Sequence, residues 1–274
     1  SDGDLAFLEA HHKRLVIQLQ DATFDERLNV PDYLREDSSF HGGAARKYQA
    51  ESAHDTLARF AGWVARRWDP SVQARFAKLL QALGGQVGRR IEALVLSETA
   101  VEFGGSERNQ PAGFTFEAYV AGVQAQMRAA RAAFPGDRVI QYANFMPGEW
   151  LPKNDRGYLR AVYALADSAN VGVGGPDLMP HRKELRAHSY PLIAARKRPG
   201  IPAGVAVQAG NLAARDPVTG KPVTVPELYA FARDSLRLDY IFWGTQEPYY
   251  SRDVLPWLRR MPAAPPTTAA APYR

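Results

Sequence analysis

Residues 91–98 read Ile-Glu-Ala-Leu-Val-Leu-Ser-Glu, a short apolar run that stops at a hydroxyl and a carboxylate. Polar residues follow, and then a stretch of helical period over 115–134. The same order of apolar run, polar loop and helical pattern can be counted six times along the chain. The other strand-like runs are 14–19 (RLVIQL), 138–142 (RVIQY), 170–173 (NVGV), 203–207 (AGVAV) and 238–243 (LDYIFW). Helical patterns cover 55–68, 71–83, 157–168, 188–196 and 225–236. Asp55 and Thr115 read as N-caps, and Gly84-Gly85 and Pro135-Gly136 as helix stops.

Strands that are apolar almost throughout, each followed by a helix, imply a parallel sheet covered by helices. No Gly-x-Gly-x-x-Gly opens a helix, so a dinucleotide-binding open sheet is disfavoured. Each strand also ends in polar or aromatic residues (Gln20-Asp21, Ser97-Glu98, Asn144, Asp177, Gln208, Trp243), as strands do when their C-terminal ends converge on one site. The expected fold class is therefore α/β, a (β/α)8 TIM barrel with about six βα units in this chain. One barrel domain over 1–260 is expected, lacking the first two units, with the gap closed by a preceding segment, a second chain or a hairpin over 218–223. The residues between the first two strands, 22–52, read as an elaborated loop on the active-site face. Residues 261–274 (MPAAPPTTAAAPYR) read as a Pro/Ala/Thr tail with nothing to bury.

The chain has 274 residues, 46% of them apolar, which suffices for one sizeable core and excludes disorder and fibre. No stretch of about 18 apolar residues occurs, and Ser1-Asp2-Gly3-Asp4 has neither a basic nor a hydrophobic leader pattern, so no membrane partner is expected. The net charge of +5 comes from 34 basic residues interleaved with 29 acidic ones, a mixed surface rather than a nucleic-acid footprint. With no cysteine, disulfides, thiolate metal sites and cysteine nucleophiles are excluded. Localisation stays open between cytoplasm and periplasm, with a periplasmic or secreted place favoured.

Glu98, directly after a buried strand, stands where a barrel mouth of low dielectric raises a carboxyl's pKa and makes it a proton donor. A glutamate merely paired with an arginine is the equally weighted alternative. Around it the strand ends supply Gln18, Gln20, Asp21, Tyr142, Asn144 and Trp243. Acids, amides and rings in one place suit a sugar: aromatic faces stack on pyranose C–H groups, while amides and carboxylates take hydroxyls. Metal ligation has little support, because His11-His12, His181 and His188 form no ligand spacing, and no cofactor is expected. Gly172–Asp177 lacks the Lys-Ser/Thr of a phosphate loop and reads as a turn that lets backbone approach a ligand and aims Asp177 inward.

With these residues in place, the chain resembles the (β/α)8 glycoside hydrolases of the clan A type. Taking Trp243 as the end of the eighth strand makes 91–96 the fourth, and the resemblance then implies that Glu98 is the acid/base and that the partner is a carbohydrate. Two positions depart from the pattern. Ser97 stands where asparagine usually precedes the acid/base, and Gln208 stands at the strand-seven position of the nucleophile glutamate. An amide cannot attack an anomeric carbon, so the partner carboxylate is expected from strand six or eight, as Asp177 or Glu247, at an inverting spacing of about 6.5–9.5 Å. Gln208 as a replaced glutamate, or a barrel that binds sugar without cleaving it, are the alternatives. An aldolase-like barrel ranks last, because none of the seven lysines lies at a strand end.

Overall fold

The computed structural model describes residues 2–49, 58–104, 109–196 and 200–261. In chain order the strands are β1 (Val16–Leu19), β2 (Ala44–Gln49), β3 (Arg59–Ala65), β4 (Ala93–Leu96), β5 (Arg138–Tyr142), β6 (Gly172–Gly175), β7 (Ala203–Val207) and β8 (Tyr240–Trp243). β1, β4, β5, β6, β7 and β8 form one sheet in that order, all parallel, with β2 and β3 paired antiparallel outside it. This is a curled half-barrel with helices between its strands, as the strand-then-helix alternation predicts. The curl brings β8 back across the sheet. The Tyr240 hydroxyl donates to Glu92 beside β4, and the Phe242 ring lies 6.4 Å from that of Tyr142 on β5. Ala93, Val95, Ile140 and Tyr142 pack together there with Val16, Ala206, Tyr240 and Phe242 as the concave core.

Glycine makes that curl feasible. A Cβ on Gly174 would sit 1.7 Å from the Gly204 carbonyl oxygen, and one on Gly204 would sit 2.6 Å from the Phe242 ring. Gly174 and Gly204 thus serve strand packing, whereas a Cβ on Gly175 would meet nothing within 4 Å.

Two helix expectations also change. Within the stretch 55–68 read as helical, Arg59–Ala65 is the strand β3, and the expected cap Asp55 lies outside the described residues. Phe60 and Trp63 join Tyr48 and Arg46 across the hairpin, and this aromatic pairing overrides a weak helical period. The helix Pro70–Val87 runs through the expected stop at Gly84-Gly85. Gly84 is there because a Cβ would stand 2.2 Å from the Ala133 carbonyl oxygen of the helix Phe116–Ala133, so the two helices touch through it. The Thr115 cap holds, its hydroxyl accepting from the Ala118 N–H. Residues 218–223 form a surface turn tied by an Arg215–Pro222 bridge and do not join the barrel sheet. Among the described residues no helix is long and apolar enough to cross a membrane.

Gly122, inside the helix Phe116–Ala133, gives a sharp test of this close packing, because its Cβ would stand 2.0 Å from the Arg67 carbonyl oxygen. Gly→Ala in a helix interior ordinarily stabilises by about 0.5–1 kcal/mol. Here Gly122→Ala is expected to lower the unfolding free energy by about 1–3 kcal/mol in urea titration; a stabilised variant would contradict the packing.

Candidate active site

A cleft opens at the C-terminal ends of the strands, in two lobes that share Phe24, Glu98, Pro176 and Gln208. The outer lobe is walled by the β2–β3 hairpin through Lys47, Tyr48 and Gln49, and by Asn144, Phe145, Asp177 and Arg182. The inner lobe is lined by Gln18, Gln20, Tyr142, Phe242, Trp243 and Gln246. Glu98 stands where the two meet.

The backbone around Glu98 is held at three successive carbonyls. The Gln141 amide donates to Ser97 O at 2.7 Å, the Arg67 guanidinium to Glu98 O at 2.8 Å, and the Tyr119 hydroxyl to Thr99 O at 3.0 Å. Ser97 adds a staple to β1: its Oγ accepts from the Asp21 N–H and lies within bonding distance of Leu19 O. That use accounts for a short hydroxyl where asparagine was expected. Asn144 Nδ2 donates to Glu98 Oε2 at 2.7 Å. Burial is the largest influence on the Glu98 carboxyl and pushes its pKa up. Asn144 opposes it, the nearby Asp177 charge adds to it, and Lys47 and Arg67 pull the other way; the net shift is upward. The carboxyl is thus biased toward its protonated form, and it faces the cleft.

Asp21 takes a different part from the one the sequence suggests. It is buried and does not line the cleft; Arg67, 1% exposed, grips it through Nε at 2.9 Å and Nη2 at 2.5 Å. Burial alone would raise the Asp21 carboxyl, but the Arg67 charge and hydrogen bonds, with Ser97 and Gln126, hold it below the usual carboxylate range. Asp21 is therefore an ionised anchor beneath the site rather than a sugar ligand or the carboxylate that keeps Glu98 protonated.

Asp177 does enter the outer lobe, and its Oδ1 accepts from Asn211 Nδ2 at 2.9 Å. Asn211 is buried, and its Oδ1 accepts from the Gln208 N–H, so one amide ties the β7 end to the Asp177 loop. Gln208 lines both lobes, yet its Nε2 donates to Pro176 O at 2.9 Å. A glutamate carboxylate there could not donate that bond. Glu247 is exposed and lines neither lobe; its carboxylate accepts from Ser251 N–H and Oγ–H in the following turn. Its proximity in sequence to β8 is spent on capping. Gln20, Tyr142 and Trp243 line the inner lobe and Asn144 the outer one.

Sequence reasoning missed Lys47, Arg67, Asn211 and Phe24. Lys47 and Arg67 belong to the hairpin segment, whose strand alternation was the available signal. Asn211 follows Gln208 at the spacing of a helix cap, a weaker signal. The histidines stay outside the cleft: His181 pairs with Glu227, and His188 is buried, with Nδ1 donating to Glu184 O and Nε2 accepting from the Leu151 N–H. His188 is therefore a hydrogen-bonded core residue. No group of three or more metal-ligating side chains stands together among the described residues.

No protein-family model and no curated protein matches the chain. Among solved structures, that of Aspergillus fumigatus Ega3 in complex with galactosamine aligns at 10% identity and a TM-score of 0.47, over 88% of this chain and 79% of the other.

The Asp21–Arg67 pair yields a stability test. Arg67→Met leaves Asp21 buried without its counter-charge and is expected to cost about 3–5 kcal/mol in urea unfolding at pH 7. The Asp21 pKa is lowered in the fold, so the pair's contribution is present above the unfolded value near 3.9 and is lost as pH falls through the folded one. The gap between wild type and variant should therefore narrow below about pH 4; a gap that widens there would contradict the assignment.

Proposed function

We propose that the protein is a glycoside hydrolase acting on a β-linked glycan or oligosaccharide, with Glu98 as the proton donor. The observation that carries the reading is a half-buried carboxyl at the end of β4, its pKa pushed upward and its backbone pinned at three carbonyls, with a second carboxylate, Asp177, in the same lobe. A general acid needs a raised pKa and a fixed place, and Glu98 has both. The clan A resemblance puts the acid/base at the same strand end.

In this reading a pyranose lies across the junction of the lobes, against the exposed ring of Phe24 or against Trp243. Glu98 gives its proton to the glycosidic oxygen as the bond to the anomeric carbon breaks. Asp177, oriented by Asn211, takes a proton from the water that attacks that carbon. Exchange with solvent then restores both carboxyls, and the products are two free hydroxyl ends. Asn144 holds the Glu98 carboxyl in line, and Gln20, on the Ser97 staple, is positioned for sugar hydroxyls.

A second reading, a barrel that binds sugar without cleaving it, draws on Gln208. Its amide occupies the position where a retaining enzyme's nucleophile is expected, and it is tied to Pro176 O. Two substitutions separate the readings. Glu98→Gln should lower turnover of unactivated β-glycosides by roughly two to four orders of magnitude with the fold intact, whereas full activity would refute the acid. Gln208→Glu should create no retaining activity, because it breaks the Pro176 bond rather than restoring a nucleophile; strong retaining turnover would show the opposite.

The pH profile carries a sign. A proton donor works while protonated, so the rate should fall as pH rises through the elevated Glu98 pKa. Asp177 raises that pKa, so Asp177→Asn should move the remaining alkaline limb to lower pH. A limb that moves upward would contradict the pairing.

A further inference from the structure

Lys47 is 3% exposed, yet it makes no hydrogen bond or ion pair with any described residue. Its ammonium stands 3.8 Å from the centroid of the Phe24 ring, and both residues line the outer lobe. The stem of the side chain is buried while its ammonium is not wholly enclosed, so the charge faces the lobe with one cation–π contact and no carboxylate partner.

The backbone places Lys47 deliberately. Along β2, Ala45 and Lys47 are buried while Arg46 is exposed. The pairing register slips between Arg46 and Tyr48: Arg46 faces Trp63 and Tyr48 faces Phe60, so β3 carries an extra residue opposite Lys47. Gly62 lies in that bulge at φ +100°, where its Cβ would be 2.2 Å from the Thr23 carbonyl oxygen. Bulges of this kind re-aim side chains beside active sites.

The carboxylates of the lobe do not complete the lysine. Three carboxylates line the lobe, Glu98, Glu102 and Asp177; Glu98 Oε2 is taken by Asn144 and Asp177 Oδ1 by Asn211, and none of the three comes within the 4.0 Å of an ion pair with Lys47. Arg182 lines the same lobe, with its guanidinium over the Phe145 ring at 5.7 Å. Two cations that neighbour aromatic rings and the proton donor describe a place for an anionic oxygen on a sugar.

We propose that the outer lobe seats an acidic pyranose, whose carboxylate or sulfate oxygens accept from the Lys47 ammonium. This rests on the reading of the cleft as a sugar site and names its substrate class. Lys47 is then a specificity residue: its ammonium, bonded to no described residue, is available to donate to substrate.

Calorimetric titration of the Glu98→Gln protein tests this without turnover. The probes are tetrasaccharides of β-1,4-mannuronate, hyaluronan and keratan sulfate, each with its carboxyl-reduced or desulfated counterpart. At least one acidic probe should bind about ten- to a hundredfold tighter than its neutral counterpart. Mannuronate or hyaluronan alone identifies a carboxylate; keratan sulfate alone identifies a sulfate. Adding Lys47→Met should erase the preference and leave Tm unchanged or higher, because the ammonium bonds to no described residue while the stem's packing is kept; Lys47→Arg should retain part of it. Equal binding of acidic and neutral probes, binding of none, a preference that survives Lys47→Met, or a lowered Tm in that variant would each overturn the proposal. If the preference holds but the Glu98 protein cleaves none of the probes it binds, hydrolysis fails while the acidic subsite stands. Cleavage of neutral glycans with no acidic preference is the reverse outcome.

Discussion

The bidentate pair of Asp21 and Arg67 joins more of the molecule than any other contact. Asp21 follows β1 and Arg67 follows β3, so the pair fastens the hairpin to the edge of the half-barrel. The same guanidinium reaches Glu98 O and the Tyr119 hydroxyl, which brings β4 and the helix Phe116–Ala133 into one knot. A guanidinium suits the task because its planar fork donates in several directions at once. Two charges buried this deeply would oppose folding if either were left alone, so both must be placed for either to be tolerated.

Function follows from what that knot fixes. With the carbonyls of Ser97, Glu98 and Thr99 each taken, the Glu98 side chain has a rigid base, and burial then sets its proton affinity. Asn144 and Asp177 act on the carboxyl in opposite senses, as do Asp177 and Lys47. The hairpin carries the other wall of the cleft, where burial presses the Lys47 amine down to about 8, leaving it mostly charged at neutral pH. One segment thus anchors the Glu98 backbone from below through Arg67 and supplies a cation from the side through Lys47.

How much of this the sequence disclosed depended on how local each signal was. The six parallel strands were legible because apolar runs such as 203–207 are buried on both faces and need no partner to be recognised. Glu98 was legible because its place after β4 is a local fact. Arg67 and Lys47 were not, since the segment holding them shows a weak helical period until Phe60 and Trp63 find Tyr48 and Arg46 across the hairpin. Asp21 and Glu247 looked catalytic for the reason that Asp177 did, a carboxylate near a strand end. What separates them is the partner each finds: Arg67, Ser251 and Asn211 lie 46, 4 and 34 residues away. Only the second of those was within reach of local reading.

A titration of the Glu98 carboxyl by carbon-detected NMR, with glutamate labelled at Cδ and the resonance assigned through Glu98→Gln, bears most directly on the proposal that the half-buried carboxyl at the end of β4 is the proton donor. The structure predicts a midpoint above the ordinary glutamate value near 4.3. A midpoint at or below that value would mean that Glu98 is ionised throughout the neutral range and cannot act as the acid.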